Sequence, residues 1–181
     1  MEPQEHPAAG LHGRFRDVLY RGERLVWDRG WRRNAIVVDC RRLLAGFMRG
    51  TPTAVEGITA LQVGAGLPSW DDTGPPPASP SQAALVDSHP HAVPRSALQL
   101  DFIDPASGTT SASPTGTLQV KATLPPGEPP WPDSDHPTGT LREFGLVARL
   151  DGSSVLINYR THPAIAKDLG STLERTIWLV F

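Results

Sequence analysis

The sequence predicts a mainly β protein: a single antiparallel, β-sandwich-like domain with one amphipathic α-helix and long proline-rich loops. Three observations carry that expectation. Apolar and polar residues alternate in short runs, as at 98–102 and 118–124, the pattern of half-buried strands. The 19 prolines and 17 glycines describe a chain rich in turns rather than a helical bundle. Only the stretch 35–49 repeats its apolar residues at helical spacing. A chain of 181 residues is long enough to bury one core. Residues 1–13, polar and holding Pro3 and Pro7, read as an N-terminal arm, and 14–181 as the domain.

The elements follow in order. Asp17 to Tyr20 and Arg24 to Trp27 form a hairpin about Arg21-Gly22-Glu23, with a second Arg-Gly turn before Trp31. Asn34 is a suitable N-cap for the helix. Ile36, Cys40, Leu43, Leu44, Phe47 and Met48 make its apolar stripe, and Gly50 with Pro52 stops it. Ile58 to Val63 is a strand. The loops 73–94, 104–116 and 125–139 separate the strands around Leu98–Phe102 and Leu118–Leu124, and loops of this length on a compact sheet are where partners are met. Glu143 to Leu150 turns through Asp151-Gly152 into Val155 to Tyr159, because Asp-Gly readily supplies the positive φ angles of a tight hairpin. The last strand, Thr172 to Phe181, sets Leu173, Ile177, Leu179 and Phe181 on one face and Trp178 and Val180 on the other, so its end is expected to be covered on both sides.

Charge and cysteine content narrow the function classes. A formal net charge of −2 gives no general attraction to phosphate backbones, so nucleic acid is not an expected partner. The lone cysteine, Cys40, excludes an internal disulfide and a multi-cysteine zinc site, and reads as a core residue of a protein folded in a reducing cytoplasm. The start of the chain lacks the basic and apolar runs of a secretory signal, and membrane insertion is not expected.

Residue types that carry chemistry occur in scattered places. Asp87, His89 and His91 could present two imidazoles and a carboxylate along an extended segment, but a solvated loop is the simpler reading and no metal or other cofactor is assigned. Asp71-Asp72 and Asp133-Ser134-Asp135-His136 hold hydrolytic residue types, yet neighbours along a loop seldom converge on one point, so no catalytic residue is assigned and the protein is read as non-enzymatic. Gly64-Ala65-Gly66 lacks the third glycine of a dinucleotide fingerprint and reads as a turn. Trp31, Trp70 and Trp131 are candidate contact residues, with Trp131, alone among prolines, the foremost. Arg32 and Arg33 belong to a locally basic first segment, suited to an acidic neighbour; His89 and His91 complete the candidate interaction residues.

Several pieces together resemble a known class. The helix from Asn34 to Gly50, the strand and "VGxG" turn within Ile58 to Asp72, "E-x-G-L" at Glu143 to Leu146, Lys167, and the closing "W-x-x-F" within Ile177 to Phe181 resemble small structural proteins of bacteriophage tails and phage-derived contractile particles. That resemblance spans about 150 residues. It implies a β-sandwich-like, homo-oligomeric subunit of a tail, baseplate, collar or fibre attachment, with tail, tube or baseplate proteins as partners. Such a subunit is made in the bacterial cytoplasm and released with the particle. The arginine-rich start and the proline-rich loops depart from that pattern. The alternative is a carbohydrate-binding β-sandwich in which Trp131 and Trp70 meet a cell-surface glycan, and a metal-dependent hydrolase using His89 and His91 is the third reading.

Overall fold

A computed structural model describes residues 10–50 and 55–181. The chain is mainly β, with 52% of it in strands and 11% helical, as expected of a β-sandwich-like domain with one substantial helix. The strands are β1 (His12–Arg21), β2 (Arg24–Ile36), β3 (Val55–Gly64), β4 (His91–Pro94), β5 (Leu98–Ile103), β6 (Thr110–Ser111), β7 (Thr117–Leu124), β8 (Thr140–Leu150), β9 (Ser153–Leu156), β10 (Asn158–Ala166) and β11 (Ser171–Val180). The helix α1 spans Val38–Arg49, and a single turn, α2, spans Trp70–Thr73.

One antiparallel sheet takes the order β4-β3-β8-β10-β2-β1-β11-β7-β5-β6, with β9 on β8. The 3-10 turn Arg95–Ala97 joins β4, at one edge, directly to β5, next to the other edge, so the sheet curls until its ends lie a few residues apart. Its inner face holds the main core, including Phe15, Leu61, Val120, Phe144, Leu173 and Ile177.

The first and last strands pair along their whole length, from His12 against Val180 to Arg21 against Ser171. In β11 burial alternates strictly, with Ser171, Leu173, Arg175, Ile177 and Leu179 inside. The outer side of β11 is only half-buried and Phe181 is exposed, so the end of the strand is covered fully on one side alone.

Arg175 therefore lies within the core, fully buried, and so does Asp17 of β1. The guanidinium donates to the carboxylate through Nε (2.7 Å) and Nη2 (2.8 Å) and sits 3.9 Å from the centre of the Phe144 ring. Nη2 also faces Nε2 of buried His162, 3.2 Å away. The His162 Nδ1–H donates to the Pro163 carbonyl at 2.9 Å, which leaves Nε2 as the acceptor for Arg175. Burial raises the Asp17 carboxyl, but the charge and hydrogen bonds of Arg175 outweigh it and hold the group below the usual carboxylate range. Burial, reinforced by Arg175, pushes His162 down to about 3.

The structure corrects several sequence expectations. His12 and Gly13 belong to β1 rather than to an arm; residues 1–9 of that arm lie outside the described residues. Asn34 does not cap the helix: it is buried in β2 opposite Gly13, because pairing with β1 and then β10 carries the strand on to Ile36. The helix begins at Val38 after an extended Val37, and ends as expected at Gly50, whose φ of 75° places it in the left-handed region. Of the apolar stripe, Cys40 and Leu43 are buried while Phe47 and Met48 are exposed. The predicted turn before Trp31 is a bulge inside β2, with Gly30 at φ 64°. The Asp151-Gly152 hairpin forms as expected, both residues having positive φ. Its second arm is broken at Ile157, where Leu146 N–H donates to the Asn158 side chain instead of to backbone.

Loop 73–94 is not free on the surface. Its Pro76 carbonyl accepts from Thr161 Oγ1 (2.6 Å) and its Pro80 carbonyl from Val38 N–H (2.9 Å). Leu85 packs with Val147, Leu156 and Tyr159 on the outer face of the sheet. This strap explains why β8 is buried on both faces from Leu141 to Ala148.

Two outcomes test the buried cluster. Asp17→Ala is expected to destabilise the fold by about 3–5 kcal/mol in urea unfolding, because it strands the Arg175 charge, while Asp17→Leu combined with Arg175→Met costs clearly less. His162 is neutral when folded and free to protonate when unfolded, so below pH of about 6.5 the unfolded state binds the extra proton and stability falls by about 1 kcal/mol per pH unit as pH drops. His162→Asn is expected to remove that slope from unfolding curves measured between pH of about 7 and about 4.5.

Candidate functional site

The residues singled out by sequence fall into three places. The first is beneath the strap, on the outer face of β8 and β10. Glu143, fully buried, accepts hydrogen bonds from the backbone N–H of Val86 (3.0 Å) and Asp87 (2.7 Å) and from the Tyr159 hydroxyl (2.5 Å). Burial and the Glu143 carboxylate hold the Tyr159 hydroxyl far above its ordinary pKa, so it stays a donor. Asp87 in turn accepts from Ala65 N–H (2.7 Å) and His89 N–H (2.9 Å) and faces Nε2 of His136 at 3.2 Å. The other ring nitrogen of His136 lies 2.8 Å from Asp133.

Trp131 stacks on that imidazole, with ring centroids 3.8 Å apart and planes 20° from parallel. Only 3% exposed, it is a core residue of loop 125–139 and not the contact residue its proline setting suggested. Trp70 is buried as well, beneath loop 64–69. Asp71 takes a bidentate pair from Arg142, through Nε (2.8 Å) and Nη2 (2.6 Å), and that hydrogen bonding lowers its pKa. These carboxylates thus fasten loops to strands. The two rings expected to stack on a sugar are enclosed by the same packing.

The second place is the segment that leads into β4, where the histidines expected to act together diverge. His89 is exposed, 3.9 Å from Asp135, whereas His91 is largely buried in β4, 3.9 Å from Glu128, and burial lowers its pKa. Among the described residues no group of three or more His, Cys, Asp or Glu is placed to hold a metal ion. Ser134 lies in the same loop as His136, but both ring nitrogens of that histidine already face Asp133 and Asp87.

The third place is the outer face of β2, β1, β11 and β7. Cross-strand pairing sets Arg33, Arg14, Trp178 and Gln119 in one row, and the next row holds Trp31 and Arg16. The Trp31 and Trp178 rings are 4.7 Å apart, and the Arg14 guanidinium lies 5.3 Å and 5.8 Å from their centres. Gln119 accepts from the Trp178 indole N–H at 3.0 Å, which fixes the ring. Arg16 pairs with Asp28, whose pKa that bond lowers to about 2. Arg14 and Arg33 are exposed here and have no carboxylate partner among the described residues, whereas Arg32, opposite Phe15, is exposed on the other face of β2 and does not join them. Trp178 and Arg14 were missed as partners of Trp31, although alternation along the last strand already places Trp178 on the outer face.

No protein-family model, curated protein or solved structure matches this chain.

The clamp beneath the strap generates a test. Glu143→Ala removes the acceptor for two backbone amides and one hydroxyl, and is expected to cost about 3 kcal/mol or more. Hydrogen exchange at Val86 and Asp87 should accelerate well ahead of that in β11; unchanged protection at both amides would contradict the assignment.

Proposed function

We propose that this protein is a non-enzymatic structural subunit of a phage tail or phage-tail-like particle, assembling with itself and with tail, tube or baseplate proteins. The observation that carries the reading is the basic and aromatic outer face built by Arg14, Arg33, Trp31 and Trp178. Unpaired arginines beside fixed indole rings suit a contact that buries aromatic area and meets carboxylates on a neighbour. The chain as a whole carries a net charge of −2, so a basic face on one copy has acidic surface to meet on another copy or on a partner. Two of the three loops expected to meet partners, 73–94 and 125–139, are instead fastened down, which favours a contact surface on the strands. The sequence resemblance to tail proteins supports the same assignment.

The carbohydrate-binding alternative has lost its two chosen rings to the core, and the Trp31–Trp178 pair is already capped by Arg14. The assembly reading is tested by light scattering of the purified protein and by co-purification with tube and baseplate proteins. Association is expected to weaken as salt rises, because contacts between exposed charges are screened. It is expected to weaken sharply in the variant Arg33→Glu, whose unfolding curve stays unchanged. A monodisperse monomer that remains outside purified particles would overturn it.

A further inference from the structure

The curled sheet leaves one end of its interior open. Leu118 of β7, Leu179 of β11 and Leu100 of β5 point inward there, and Leu44 and Phe47 of α1 line the same space. The result is a cavity of about 430 Å³. Its helix-side wall is Leu43, Leu44 and Phe47, and its floor includes Ile157. Burial raises the Cys40 thiol in that wall to about 11, so it is a neutral group at physiological pH. The lining is predominantly apolar with few polar groups, the character of a small-molecule site.

Among the described residues one charged side chain lines the cavity, and it is exposed to solvent. Arg95 lies on the 3-10 turn where the two sheet edges meet, and its Nη1 donates to the Leu98 carbonyl at 3.2 Å. It has no carboxylate partner among the described residues. The remaining N–H groups of its planar fork match a carboxylate bidentately. An apolar chamber with a single unpaired cation has the polarity of an amphiphile turned inside out.

We propose that this cavity binds a medium-chain carboxylate, its alkyl chain between α1 and the inner face of β5, β7 and β11 and its head group on Arg95. The site lies on the opposite, inner face of the strands that carry Trp178 and Gln119, shares no residue with the Arg14 face, and does not depend on the assembly reading.

Calorimetric titration of the full chain with straight-chain carboxylates and with the matching alcohols, from about six to about fourteen carbons, tests this directly. Affinity is expected to rise by up to about fourfold per methylene until the chamber is full, then to level off. Arg95→Gln is expected to weaken carboxylate binding by about tenfold and to leave alcohol binding unchanged. Leu118→Trp should abolish both; should that variant fail to fold, Leu44→Trp, from the helix side, fills the same space. Absence of saturable binding at every chain length would overturn the proposal, as would equal affinity for acid and alcohol. Self-association abolished by Leu118→Trp, with no competition from carboxylate, would also overturn it, because a neighbouring copy would then be the occupant.

Discussion

The buried ion pair between Asp17 and Arg175 is the constraint around which the sheet is organised. It joins the first strand to the last at the middle of their ladder, inside a wall of Phe15, Phe144 and Ile177. A pair of this kind gains little net stability over well-packed apolar residues, but it is intolerant of misregister. A one-residue slip of β11 would turn Arg175 outward and bury Glu174 or Thr176 in its place. Neutral His162, accepting from Arg175, ties β10 into the same point, so the first strand and the last two share one polar centre.

A second constraint works from outside. Proline-rich segments are poor core formers, and here they serve as straps whose few anchoring bonds are strong. Glu143 receives the backbone of 86–87, Thr161 holds Pro76, and Trp131 with His136 closes the 125–139 loop over the same strands. Lys167 adds to this by donating to the carbonyls of Pro125 and Ser171, at 2.9 Å and 2.8 Å. Among the described residues the outer face of the sheet is covered at β8 and β10, and no such strap crosses it at β1, β2 and β11.

Much of the fold was legible in the sequence, because period-two alternation and Asp-Gly or Gly-Pro punctuation are local signals. The strands at 98–102, 118–124 and 172–180 and the stop at Gly50 follow from them. Asn34 misled because its capping preference is weaker than the strand pairing that claims it. The polar centre was within reach: Arg175 falls between Leu173 and Ile177, and Asp17 between Phe15 and Leu19, so alternation alone places both charges inside. Trp131 and His136 gave no such signal. Their burial depends on Asp87, about fifty residues away, which no local pattern connects to them.

The central claim is that Arg175 is locked to Asp17 in a dry interior until the whole sheet opens. Solvent exchange of the Arg175 Nε–H, followed by nuclear magnetic resonance in deuterated buffer, measures this most directly. The account predicts protection equal to that of the slowest backbone amides of β1 and β11, with the same response to denaturant. Exchange as fast as that of exposed Arg14 or Arg33 on the outer face would contradict it.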